Sequence, residues 1–204
     1  MNLVIGSGDI REFLSGKHTK GFAKLLQKFV AFDKPYYNSF ASPIDALRTG
    51  AILEQRYLQA LTDDYYIQYK TTSKEFNCCT STLDFAKFKQ GELLEFDELK
   101  TIFLADYVNI VLPITKMSKE KQMYHLKKKF KANYNQVQFQ LFTSGLEYAN
   151  LVFLAVYCYD DETNNKRQIK KTDYVKFKVE RDEEVISKIK ERASFFQHIK
   201  DGIK

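Results

Sequence analysis

In residues 83–100, LDFAKFKQGELLEFDELK, three ionisable side chains stand where a covered sheet would carry valine or isoleucine. Apolar runs on either side of KQGE read as the two arms of a β-hairpin that turns at Gln90 and Gly91. Side chains alternate along a strand, so Glu98 and Lys100 share one face of the second arm, and the turn brings Asp84 to about the same height on the first. Two carboxylates and an ammonium so close together are costly to bury unless they pair or share a cation. Hard oxygen donors favour Mg2+ or Mn2+ over Zn2+. Such an ion polarises a phosphoryl oxygen and lowers the pKa of a bound water, while a lysine orients the water or stabilises charge on the phosphate. Those are the needs of phosphodiester hydrolysis. An acid-x-lysine pattern is weak alone. Glu98-Leu99-Lys100 is its one occurrence in the chain, and the acid on the facing arm gives it weight. A solvated ion pair on an edge strand is the competing reading.

Glu54 adds a third carboxylate. In SPIDALRTGAILEQRYLQALTDD, Ser42 can cap a helix, Pro43 suits its first turn, and Asp45 favours its dipole. Ile44, Leu47, Ala51, Leu58 and Leu61 recur at helical spacing, and Glu54 falls on that stripe where an apolar residue is expected. It either meets a cation or snorkels to solvent from the stripe edge. Farther on, NYNQVQFQL sets Gln136 and Gln140 one turn apart. They can hydrogen-bond a phosphate or a nucleophilic water, or merely border an apolar face. Seven lysines between 116 and 131, with KKK at 127–129, are either a solvated face or a track for a DNA backbone.

The elements that must hold these residues follow from pattern. GFAKLLQKFV is a short helix, and strands are expected at about 64–71, 79–88 and 92–103. A helix spans 118–144, with Met123, Phe130, Tyr134, Val137 and Leu141 inward and Gly145 as its stop. YANLVFLAVYCY reads as a strand covered on both faces, DDETNNKRQIKK as a polar loop and DYVKFKVE as an edge strand. Asp182 caps a final helix whose Val185, Ile186, Ile189, Ala193 and Phe196 face inward. The 204 residues, 44% hydrophobic, suit one domain with one core, and no repeat or linker divides it. A net charge of +6 admits an anionic partner without choosing one. Cys78, Cys79 and Cys158 have neither bridge nor zinc spacing and read as reduced thiols. No signal peptide is evident, and LVFLAVY is too short to span a bilayer, so a cytoplasmic protein without membrane association is expected.

Four motifs in this order resemble the PD-(D/E)XK nuclease superfamily, and within it the lambda-exonuclease or YqaJ-like viral recombinase group. They are GAILE at 50–54, STLDF around Asp84, ELK at 98–100, and NQVQFQLFTSG followed by LVFLAVY. The resemblance covers about 42–185. It implies an α/β fold, a restriction-endonuclease-like mixed central sheet flanked by helices, over a single domain of 1–204 whose first 40 residues bind a DNA end. It implies Glu54, Asp84 and Glu98 as metal ligands with the Leu99 carbonyl, and Lys100 and Gln136 as groups that position or activate water. Mg2+ is the implied cofactor, with Mn2+ as substitute. The implied activity is 5′ to 3′ exonucleolysis of linear double-stranded DNA in phage-type recombination in a bacterial host. A single-strand-annealing protein is the implied partner and a trimer the implied homo-oligomer. Arg11, Ser15, Lys17 and Lys20, with Gln140 and Lys128, are candidates for DNA contact. The sequence departs from the family at Phe85, where relatives often have glycine, in the long interval from Asp84 to Glu98, and in the poorly aligning REFLSGKHTKG. Alternatives are an endonuclease of the same fold and a catalytically inactive DNA-binding or assembly module. A CRISPR-adaptation-type nuclease would usually carry four cysteines at an iron–sulfur site, which this chain lacks.

Overall fold

A computed structural model describes residues 3–30, 44–61 and 65–202. A 3-10 turn (Ser7–Asp9) leads into α1 (Ile10–Phe13) and α2 (Lys20–Val30), and α3 (Ile44–Ala60) follows. β1 (Tyr65–Thr72), β2 (Thr80–Lys89) and β3 (Glu92–Phe103) run as an antiparallel meander. α4 (Leu104–Asp106), a π-helical turn (Tyr107–Val111) and α5 (Leu112–Thr115) carry the chain to α6 (Lys119–Lys129) and α7 (Lys131–Ser144). β4 (Tyr148–Val156), α8 (Asp161–Lys166), β5 (Tyr174–Glu180) and α9 (Glu183–Gly202) complete it.

The five strands form one mixed sheet in the order β1-β2-β3-β4-β5, with β3 and β4 parallel and the other neighbours antiparallel. The β2–β3 hairpin closes through Gln90 and Gly91 at φ +53° and +85°. Two successive left-handed residues match the twist of the strands they join, and Gly91 takes that conformation without strain. β2 and β3 stay paired from Lys89 and Glu92 as far as Phe85 and Asp97. From Asp97 to Phe103, β3 pairs instead with β4, while the start of β2, Thr80 to Leu83, pairs with β1. The middle of the sheet therefore forks beyond Phe85 and Asp97.

α7 covers one face of the sheet, where Tyr134, Val137 and Leu141 pack on Leu83, Phe96, Leu151 and Phe177. Its opposite side packs Phe139 and Phe142 against Phe13 of α1, Phe22 and Phe29 of α2, and Ile189 and Phe196 of α9. Buried on two sides, α7 is a rigid support. It ends at Gly145, whose left-handed φ of +76° lets its N–H reach the Leu141 carbonyl. Asp182 caps α9 by accepting the Val185 N–H, and also takes Tyr134 Oη and Lys127. No helix among the described residues is long and apolar enough to cross a membrane.

Several sequence expectations need correction. The helix expected over 118–144 is two helices, because Phe130 leaves helical geometry at φ −121°, ψ 40° and packs its ring, tilted by 44°, with its centre 4.5 Å from that of Phe153. Residues 104–115, given no element, form helical turns that bury Tyr107, Val111 and Ile114. The polar loop after β4 contains α8, capped by Asp160, whose carboxylate accepts the Thr163 N–H at 2.7 Å. The stripe on α3 was misplaced. Leu47 is 63% exposed and Ala51 also faces solvent, whereas Thr49, Leu53 and Tyr57 are buried. The sheet offers α3 a polar anchor that an apolar pattern does not reveal. Tyr57 Oη donates to Asp97 at 2.8 Å, and the fully buried Asp97 also accepts from Asn150 at 2.8 Å and from Lys176 at 2.6 Å. Burial, with the Asp97 charge beside it, raises the Tyr57 phenol pKa. The proposed caps Ser42 and Pro43, and the side chains of Ile44 and Asp45, lie outside the described residues.

Asp97→Ala leaves Tyr57, Asn150 and Lys176 without their shared acceptor and is expected to destabilise the protein by about 3 kcal/mol in urea unfolding. Gly50→Ala places a Cβ 3.9 Å from Thr101 Oγ1, an ordinary contact, and is expected to be neutral or to stabilise by up to about 1 kcal/mol.

Candidate active site

At the fork, Leu99 has no hydrogen-bonding neighbour in β2, and the Asp84 side chain takes that place. Its Oδ2 accepts the Leu99 N–H at 2.9 Å. The N–H and C=O of a strand residue point to the same side, so the Leu99 carbonyl also faces the gap. Glu98 is 1% exposed and has two donors, Lys100 Nζ at 2.6 Å on Oε1 and Gln140 Nε2 at 2.5 Å on Oε2. The same Gln140 amide donates to the Thr82 carbonyl of β2 at 3.0 Å. One side chain from α7 thus ties both prongs of the fork together.

Glu54 arrives from the other layer. Leu53 and Tyr57 seat α3 on Phe85, Leu99 and Val152, which leaves Glu54 on the flank of the helix, half-buried. Burial raises its pKa, with Lys100 opposing and Glu98 adding. Burial also pushes Asp84 up to about 8. The Glu98 charge and, less strongly, that of Glu54 add to this, while Lys100 and the Leu99 N–H oppose it. Burial alone would lower Lys100, but Glu98, Asp84 and Glu54 outweigh it and hold the ammonium above its ordinary range. Lys100 is therefore a fixed positive charge at neutral pH, suited to stabilising an anion rather than to abstracting a proton.

Three acids facing one ammonium leave an excess of negative charge. Carboxylates whose charges raise a neighbour's pKa in this way are a donor set suited to a hard divalent cation. Among the described residues no three such groups already close on a common point, because Glu98 is engaged by Lys100 and Gln140, and Asp84 by Leu99. The donor chemistry fits; coordination requires those side chains to turn toward a shared ion. The buried Gln140 Oε1, without a partner among the described residues, is a further polar atom beside Glu98.

The structure therefore brings together Glu54, Asp84, Glu98, Leu99 and Lys100. Gln136 is half-buried one turn before Gln140 on the same flank of α7. Gln140, expected to touch DNA, is fully buried and spends its amide on Glu98 and Thr82, so it is a positioning residue. The Thr82 and Glu98 pairing that makes it so crosses strand and helix, and only its spacing from Gln136 hinted at it. Asp97 is the residue that sequence reasoning missed: its partners Tyr57, Asn150 and Lys176 are distant in the chain, so no local spacing marks it. Lys128 is exposed on α6, 5.7 Å from the centre of the Tyr124 ring. Arg11 and Lys20 are exposed at the N-terminal helices. Ser15 Oγ donates to the Glu12 carbonyl, and Lys17 lies 3.8 Å from Glu191.

No protein-family profile and no curated protein matches the chain. Among solved structures it is similar to a phage-related exonuclease from Haemophilus somnus at 16% identity and a TM-score of 0.62, over 100% of this chain and 98% of that one. It is also similar to an alkaline exonuclease from Laribacter hongkongensis, at 13% identity and a TM-score of 0.60, over 98% of this chain and 90% of that one. The complex of the latter with dAMP gives 14% identity and a TM-score of 0.59, over 98% and 89%. The fold is thus that of phage-related and alkaline exonucleases, the restriction-endonuclease-like α/β arrangement that the four sequence motifs led one to expect.

The raised pKa of Asp84 sets a pH dependence. Between its unfolded value near 3.8 and about 8, the folded protein holds a proton that the unfolded chain has lost, so stability falls as pH rises through that window. In chelator, the urea midpoint is expected to drop from pH 5 to pH 8. Asp84→Asn removes most of that drop, an effect on the order of a few kcal/mol. Equal pH slopes for the two proteins would contradict this.

Proposed function

We propose that this protein is a metal-dependent deoxyribonuclease, an exonuclease that hydrolyses phosphodiester bonds of linear double-stranded DNA. The observation that carries the reading is the meeting of Asp84, Glu98 and Glu54 with Lys100 at one fork. A fold shared with exonucleases supports it. Asp84, Glu98, Glu54 and the Leu99 carbonyl are the groups that would hold Mg2+, with Mn2+ as substitute. The bound ion supplies Lewis-acid polarisation of the phosphate and a more acidic water.

The chain's own residues do the rest. Lys100, kept protonated by its acidic neighbours, stabilises negative charge growing on the scissile phosphate. Gln140 fixes the Glu98 carboxylate against β2, and Gln136, one turn before it, would hydrogen-bond the phosphate or the attacking water. The lysines of α6, Lys128 among them, contact the DNA backbone. Arg11, Ser15, Lys17 and Lys20 belong to the region assigned to the DNA end. The resemblance to viral recombinase nucleases supports 5′ to 3′ polarity, a trimer and a single-strand-annealing partner, in the cytoplasm of a bacterial host.

End-labelled linear duplex and closed circular duplex, each with Mg2+ or with EDTA, provide the test. Loss of the linear form alone, from its 5′ ends and in Mg2+ only, is expected. Nicked circles would make the protein an endonuclease, and DNA binding without cleavage in any divalent metal would make it an inactive binding module. Lys100→Ala is expected to lower cleavage by about 10^2–10^3-fold or more while Mn2+ still binds. Asp84→Ala is expected to lose both.

A further inference from the structure

Beyond the fork, the prong made of β1 and the start of β2 has two unlike faces. Lys70 stands opposite Thr82 in the ladder and Thr72 opposite Thr80, with Thr71 and Ser81 paired between them. The Thr71 and Ser81 hydroxyls turn to Thr143 of α7. Side chains alternate along a strand, so Lys70, Thr72, Thr80 and Thr82 point to the other face. There they line a cavity of about 370 Å3, together with Val4 and Asn77.

No acid among the described residues lines this cavity, in a chain that carries 26 acidic residues. Lys70 is exposed and makes no ion pair among the described residues. The side-chain hydroxyls of Thr72, Thr80 and Thr82 are likewise without a partner among them. Threonine suits an exposed strand in any protein. What distinguishes this face is that one ammonium, three free hydroxyls and one carboxamide share a single concavity. Lysine, threonine and asparagine side chains are the groups that contact phosphate oxygens of a nucleic-acid backbone. The cavity also adjoins the carboxylates. Thr82 precedes Asp84 by two residues, about 7 Å along β2, and its carbonyl accepts the same Gln140 amide that holds Glu98.

We propose that this face of β1 and β2 is a phosphate-binding track, on which Lys70, Thr72, Asn77, Thr80 and Thr82 hold the sugar–phosphate backbone of a DNA strand by contacts that ignore its bases. The step along β2 from Asp84 to Thr82 equals about two nucleotide rises of about 3.4 Å, and the step to Thr80 about four. A strand whose reacting phosphate lies at the carboxylates therefore reaches the hydroxyls within a few nucleotides. The Lys70 ammonium offsets the repulsion between that strand and the acids of the fork. That the strand is a substrate rests on the nuclease reading above, whereas the grip on its phosphates does not.

The test is fluorescence anisotropy of a labelled linear duplex in EDTA, where no cleavage intervenes, over a series of NaCl concentrations. Lys70→Ala, at an exposed position that folding does not need, is expected to make the fall of log K with log[NaCl] shallower by about 0.9, equally for duplexes of unrelated sequence. Thr80→Val and Thr82→Val keep the branched shape of the side chain. Each is expected to weaken binding by about fivefold with the salt slope unchanged, and Thr82→Ser to restore it. A Lys70→Ala protein with the wild-type salt slope would overturn the proposal, as would a wild type that does not bind the duplex. Valine variants that bind like the wild type, or losses that depend on base sequence, would overturn it as well. Cleavage of linear duplex in Mg2+ is read separately. Binding that depends on Lys70 and the threonines in a protein that never cleaves would sink the nuclease reading and leave the track standing. Cleavage by a protein whose binding is indifferent to them would do the reverse.

Discussion

An excess of negative charge at a fork in the sheet is the constraint on which the rest of this structure depends. Three carboxylates face one ammonium where water is scarce, and the Glu98 charge makes Asp84 and Glu54 harder to ionise. A fold that wanted only stability would place apolar side chains at Asp84 and Glu98. The arrangement persists because the surroundings over-determine it. β3 leaves β2 for β4 at Asp97, the Asp84 carboxylate satisfies the Leu99 amide left behind, and Gln140 grips Glu98 and Thr82 together.

Each layer contributes one constraint to that geometry. α7, packed on both sides, carries Gln140 on a helix that cannot shift without disturbing two clusters of the core. α3 is held by the apolar seat of Leu53 and Tyr57 together with the Tyr57 hydroxyl on Asp97, the residue just before Glu98. Because Asp97 and Glu98 alternate across β3, one acid anchors the helix that delivers Glu54 while the next one enters the site. In β1 the left-handed Gln68 stands across from Asp84, so the backbone departs from regular pairing on both sides of that aspartate.

Much of this was legible in the sequence, for local reasons. The KQGE turn fixes the hairpin, and alternation then places Glu98, Lys100 and Asp84 together. Gly145 and Asp182 end and start helices by chemistry that needs no tertiary contact. What escaped was decided by tertiary partners. Leu47 and Ala51 looked inward on α3, yet the helix turned about a third of a revolution so that Tyr57 could reach Asp97. Phe130 leaves the helix and packs its ring against Phe153. Gln136 and Gln140 were equivalent in pattern, and only the position of Thr82 and Glu98 in the fork chose between them.

The central claim is that the fork is a cation site. A crystal soaked in Mn2+ and measured for anomalous scattering tests it most directly. The account requires a peak within about 2.5 Å of carboxylate oxygens from both Asp84 and Glu98, with the Leu99 carbonyl beside it. A map with no peak there, or with manganese bound only elsewhere on the molecule, would contradict it.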